Sequence, residues 1–180
     1  MIHPVPHGAS ERLKASVRDV PDFPQKGVLF RDITPILKDG QLFRLAISLL
    51  ADRYRTCPVD AIVAIDARGF LFGGALAYCL GTGVVVVRKK GKLPCKTVSK
   101  SYDLEYGKNT IEMHSDSIHK GDKVVIIDDV LATGGTVAAT IDLVRQLGGE
   151  ILEVAVLIEL NFLNGREKLM PLPVFSAIQY

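Results

Sequence analysis

Two adjacent carboxylates, Asp128 and Asp129, close an apolar run, and five small residues, Ala132, Thr133, Gly134, Gly135 and Thr136, follow almost at once. Small residues let main-chain N–H groups come close to an anion. A helix beginning near Gly134–Thr136 adds unpaired donors and the positive end of its dipole. Thr133 and Thr136 add hydroxyls. The two acids would repel a bare phosphate, yet they suit vicinal hydroxyls, each carboxylate accepting an O–H. A phosphate cradle beside a diol reader describes a ribose 5-phosphate. The plainer alternative is a capped turn between strand and helix. No Lys-Ser/Thr pair follows the glycines and G-x-G-x-x-G is absent, which sets the stretch apart from a Walker loop and from a dinucleotide fingerprint.

A second junction, "IDARGFLFG" (65–73), ends a strand at Asp66 and enters a helix through Ala67, Arg68 and Gly69. It offers a guanidinium fork and free N–H groups at the same sheet edge. On residue type alone Arg68 could equally pair with a carboxylate on the surface, a contact worth little. Arg88, Lys89, Lys90 and Lys92 form a basic cluster whose simplest reading is a solvated patch.

These residues need a frame that brings strand ends together, and hydrophobic periodicity supplies one. Apolar runs at 60–65, 83–89, 123–129 and 150–160 read as strands, and 69–80 and 136–148 as helices. Leu42, Leu45, Ala46, Leu49 and Leu50 mark one face of another helix after Asp39. Ser10 caps a short helix to about Asp19, and 21–35 reads as irregular because prolines and glycine punctuate it. Apolar strands alternating with helices predict an α/β fold with a Rossmann-like parallel sheet covered on both faces. Open sheets of this kind bind ligands at the carboxyl edge. Residues 91–118 are polar and read as a β-hairpin excursion. Residues 1–9 read as a loose tail and 10–180 as one domain.

Composition narrows the partners. Hydrophobic residues make up 48% and charged residues 23%, and the net charge is +2. No global field draws in nucleic acid. No segment is long and apolar enough for a membrane span or a secretory signal. Three cysteines without metal spacing, Cys57, Cys79 and Cys95, suit reduced thiols in a cytoplasmic protein.

"VVIIDDVLATGGT" is similar to the ribose-phosphate signature of the type I phosphoribosyltransferases, enzymes that use 5-phosphoribosyl-1-pyrophosphate (PRPP). "FPQKGVLFRDITPIL", "DARGFLFG", "VRKKGKLP", "YDLEYGKNTIE" and "GREKL" resemble, in order, segments of the adenine phosphoribosyltransferases, from about Val20 to Tyr180. The resemblance implies the type I fold with a mobile hairpin hood, and the conversion of adenine and PRPP to AMP and pyrophosphate in purine salvage. It also implies Mg²⁺ carried on PRPP or pyrophosphate rather than on a protein ligand, and a homodimer.

The same resemblance assigns roles. Asp128 and Asp129 hold the ribose hydroxyls, and Ala132–Thr136 the 5-phosphate. Ala67, Arg68, Gly69, Lys89 and Lys92 face the pyrophosphate, with no separate role given to each lysine. Leu29, Phe30 and Arg31, in "GVLFRDI", read the adenine, and "GREKL" has no chemical reason of its own. Glu105 handles the purine proton and Tyr106 packs nearby in the hood. Spacing alone would make Glu105 an exposed strand residue. Two departures from the family pattern stand out. Ala67 replaces the Ser or Glu of many members, and Cys95 follows Pro94 where no thiol is expected. The rivals are a phosphoribosyltransferase for hypoxanthine-guanine, xanthine or orotate, and a non-catalytic PRPP sensor, which would need a DNA-binding extension.

Overall fold

A computed structural model describes residues 7–104 and 107–180, with the side chains of 103–107 left aside. Five strands form a parallel core: β3 (Ala61–Ile65), β4 (Gly83–Lys89), β7 (Lys123–Leu131), β8 (Glu150–Glu159) and β9 (Val174–Gln179). The hairpin β5 (Thr97–Leu104) and β6 (Gly107–His114) extends this sheet, giving the order β5-β6-β4-β3-β7-β8-β9. It joins antiparallel through Arg88↔Glu112 and Lys89↔Ile111. The expected hairpin is therefore an extension of the main sheet.

One face is covered by α3 (Gly40–Tyr54) and α4 (Gly69–Leu80), with the short α1 (Ala9–Ala15) and α2 (Thr34–Lys38) beside them. Asp39 caps α3 by accepting from the N–H groups of Gln41 and Leu42. Gly73 lets α4 lie on the sheet, since a Cβ there would stand 2.6 Å from the Ala64 Cβ. The other face is covered by α5 (Gly135–Leu147), which also packs on the hairpin through a 2.8 Å Lys100–Asp142 ion pair. Central strands are buried on both faces, which explains their unbroken apolar runs. Leu50, Ile62, Phe72, Ile126 and Leu143 are fully buried, each contributing about 1.5–3 kcal/mol.

Four local expectations need correction. The first helix starts at Ala9 and stops at Ala15, and Arg18–Val20 form β1, which pairs antiparallel with β2 (Phe30–Asp32). Ion pairs Arg18–Asp32 and Arg31–Asp19 favour that ribbon over a longer helix. Part of the expected irregular segment is thus ordered as β2 and the start of α2. The sheet does not close at β8, because β9 pairs with it in parallel. β9 follows two prolines and is only half-buried at its start, so its periodicity is weak. "GREKL", whose leading glycine reads as a helix start, forms only a 3₁₀ turn, Gly165–Leu169.

Candidate active site

The carboxyl ends of β3, β4 and β7 open into one cavity of about 600 Å³. Leu29, Phe30 and Arg31 line it from the β1–β2 ribbon, Ala67 and Arg68 from the β3–α4 junction, and Asp128, Asp129, Ala132 and Thr136 from β7 and its turn. Lys89 lines it from the end of β4. A smaller hollow of about 80 Å³ adjoins it, ringed by Ala132–Val137 and sharing Asp128 and Thr136 with the larger space. Residues as far apart as Leu29 and Thr136 thus meet around one space of ligand size.

The β7–α5 turn is built by local rules. β7 runs on to Leu131, two residues beyond the expected end, because Val130 and Leu131 still pair with Ile158 and Glu159. The chain then reverses at Gly134, whose φ of 78° only glycine adopts without strain. α5 starts at the next residue without a side-chain cap, so its first N–H groups stay free of side-chain partners. Thr136 Oγ1 lies 2.8 Å from the Tyr102 hydroxyl of β5, tying this turn to the hairpin.

The acidic pair is asymmetric. The Arg68 Nε–H donates to Asp129 Oδ2, joining the two junctions across 61 residues. Asp128 Oδ1 accepts the Asp129 N–H at 2.9 Å. Burial, and then the Asp129 charge, push the Asp128 carboxyl well above its ordinary value. Gly69 keeps α4 close, since a Cβ there would lie 3.0 Å from Asp128 Oδ1. A half-buried acid with a raised pKa beside a buried, paired one fits a site built for a ligand.

The β1–β2 ribbon is held in place by side-chain contacts. Arg31 binds Asp19 and stacks 3.9 Å from the Tyr180 ring, so its side chain is committed to those two partners. Phe30 meets Phe23 edge-on at 5.1 Å, and the Arg68 guanidinium stands 5.9 Å from the Phe30 ring.

Not every expected residue lies in the larger cavity. Gly69 packs behind Asp128, while Thr133, Gly134 and Gly135 ring the smaller hollow. Lys92 is not a lining residue: its N–H donates to Glu112 and its carbonyl accepts from Arg88. Glu105 and Tyr106 lie outside the described residues. Arg88 of the basic cluster lines the space, and so do Tyr102 and Asn109, which had not been singled out for it. Their signal was the register of the hairpin, which places Tyr102 opposite Asn109. Among the described residues, no group of three His, Cys, Asp or Glu could cage a metal.

A parallel sheet carrying a glycine phosphate turn beside paired acids defines the phosphoribosyltransferase class, and the phosphoribosyl transferase domain family matches residues 32–172. The adenine phosphoribosyltransferase of Geobacter metallireducens is 54% identical over 94% of this chain and 99% of its own. The crystal structure of adenine phosphoribosyltransferase from Thermoanaerobacter pseudethanolicus superposes with a TM-score of 0.92 at 49% identity, covering 95% and 99% of the two chains. The Saccharomyces cerevisiae enzyme, complexed with adenine and an imino-altritol bisphosphate, superposes at 0.90 with 40% identity over 94% and 98%. The chain belongs to the adenine phosphoribosyltransferase family.

Proposed function

We propose that the protein transfers the 5-phosphoribosyl group of PRPP to adenine, giving AMP and pyrophosphate in purine salvage. The observation that carries this reading is the single cavity shared by the phosphate turn, the acidic pair, Arg68 and the Leu29–Arg31 ribbon. The yeast relative's adenine and bisphosphate ligands match the same pairing of a base with a phosphorylated five-membered ring.

The amides and hydroxyls of Ala132–Thr136 anchor the 5-phosphate, and that remote binding energy orients the anomeric carbon. Asp128 and Asp129 accept the ribose hydroxyls and face the positive charge that develops on the sugar as pyrophosphate departs. Arg68, already oriented by Asp129, directs its remaining N–H groups to the pyrophosphate, with Ala67 and Lys89 around it. Main-chain groups near Leu29 and Arg31 read the edge of adenine, and Phe30 packs on its face. Glu105 takes the imidazole proton as N9 attacks, and the closed hood keeps water from the sugar cation.

Magnesium fits this donor set only as a passenger of the substrate. With no cage of three carboxylates or other ligands among the described residues and Asp129 engaged by Arg68, the ion would be carried on the diphosphate. It would there neutralise charge on the leaving group.

The protein works as a cytoplasmic homodimer. The free thiols of Cys57, Cys79 and Cys95 suit a reducing compartment. Leu71 and Tyr78 expose apolar surface along α4, which suits a second copy. No helix among the described residues is long and apolar enough to cross a membrane.

Steady-state release of pyrophosphate, with adenine, hypoxanthine, guanine, xanthine and orotate offered separately with PRPP and Mg²⁺, tests the reading. Adenine is expected to be preferred. Preference for hypoxanthine overturns the choice of base, and PRPP binding without turnover on any base points instead to a sensor.

A further inference from the structure

The 3₁₀ turn Gly165–Leu169 touches the phosphate turn main chain to main chain. A Cβ on Gly165 would overlap the Ala132 carbonyl oxygen and lie 3.0 Å from the Gly134 nitrogen. A Cβ on Gly134 would lie 2.5 Å from the Gly165 carbonyl oxygen. Two glycines thus interlock without side chains, and any shift of one turn displaces the other.

What holds Gly165 in place is its neighbour. Arg166 forks onto Glu159, with Nε 2.8 Å from Oε1 and Nη2 2.5 Å from Oε2, and its Nη1 donates to the Val174 carbonyl at 2.7 Å. Ser176 donates to Glu159 Oε2 at 2.7 Å. Glu159 ends β8 and is almost wholly buried, so this anchor belongs to the rigid sheet. The hydrogen bonds from Arg166 hold its carboxyl below the ordinary glutamate value. A bidentate pair of this kind fixes direction as well as distance.

We propose that Arg166 is a positioning residue for the 5-phosphate site: locked on Glu159, it presses Gly165 against Ala132 and Gly134 and so sets the shape of the cradle. The side chain does not line the catalytic cavity, and its effect passes through main chain alone. The inference rests on the reading of residues 132–136 as the phosphate cradle.

A matched control exists within the same strand. Arg53 forks onto Glu153 of β8 with two 2.5 Å contacts, and neither residue lines the cavity. The experiment measures ribose 5-phosphate dissociation constants by calorimetry, Michaelis constants for PRPP and adenine, and melting temperature. It uses the intact enzyme and the variants Arg166→Gln, Arg166→Lys, Gly165→Ala and Arg53→Gln. Arg166→Gln and Gly165→Ala are expected to weaken ribose 5-phosphate and raise the PRPP constant about tenfold, with the adenine constant within twofold. Arg166→Lys restores part of the loss, and where Arg166→Gln does not fold it carries the comparison. Arg53→Gln lowers the melting temperature and leaves both constants unchanged. Equal ribose 5-phosphate affinity in native enzyme and Arg166 variants overturns the proposal, as does an equal effect from Arg53→Gln. Failure of the native enzyme to bind ribose 5-phosphate overturns the cradle reading instead.

Discussion

The β3–α4 and β7–α5 junctions lie on adjacent strands and point helix starts at the same cavity, yet they are built to grip anions differently. At β7–α5 the main chain does the work, with Gly134 in the left-handed region and N–H groups opened toward the small hollow. At β3–α4 the charge comes from a side chain, Arg68, whose direction is set by Asp129 on the other junction. A main-chain cradle suits a group held throughout the reaction, since its donors are fixed by the helix itself. A guanidinium on a flexible stem suits a group that must be released. On the proposed reading the two junctions divide one substrate, with the retained phosphate on one side and the departing one on the other.

The largest expected effect comes from cutting the link between them. Arg68→Gln and Asp129→Asn should each lower kcat/KM for PRPP about 10²–10³-fold. Ribose 5-phosphate, which has no diphosphate, should bind Arg68→Gln within about twofold of the native enzyme. Equal loss of both ligands in calorimetry would break the proposed division.

Damage to the main-chain cradle should show the reverse pattern. Gly134→Ala places a Cβ against Gly165 at a φ of 78°, a conformation costing about 1–2 kcal/mol for an L-residue. Ribose 5-phosphate affinity should fall at least about tenfold, and PRPP affinity with it. Titration of both ligands checks this, and selective loss of PRPP alone would contradict it.

The smallest effect is on stability. A carboxyl whose folded pKa is raised holds its proton more tightly in the folded state. Stability therefore falls as pH rises from the ordinary aspartate value through the raised one. Asp128 is in this position. Asp128→Asn should melt about 2–4 °C higher at pH 7 while losing turnover, and the gain should shrink near pH 4. A melting temperature that falls at pH 7 would mean that the acid stabilises the empty site.

Legibility in the sequence followed the range of the interaction. α4 and β4 match their expected spans residue for residue, because periodicity and end signals lie within each segment. β1 and β9 did not show, because each is a strand only by virtue of its partner: Asp19 against Arg31, and Phe175 against Ala155. Asp128, Asp129 and Ala132–Thr136 could be read as a phosphate and diol site from residue chemistry. Leu29–Arg31 could be placed only by resemblance, since a ribbon whose arginine is spent on Asp19 and Tyr180 carries no chemical label. "GREKL" had no reason until Gly165 was found against the phosphate turn.

By itself, then, the sequence determined which segments are strands and helices in the core and where a ribose phosphate can sit. Those outcomes depend on side-chain period, glycine conformation and helix ends, all within a few residues. Tertiary structure alone decided that Phe30, Arg68 and Asp129 share one cavity, that Arg68 answers to Asp129, and that Gly165 lies against Ala132 and Gly134. Each of these joins residues tens of positions apart, and only the register of the sheet brings their carboxyl ends to the same edge.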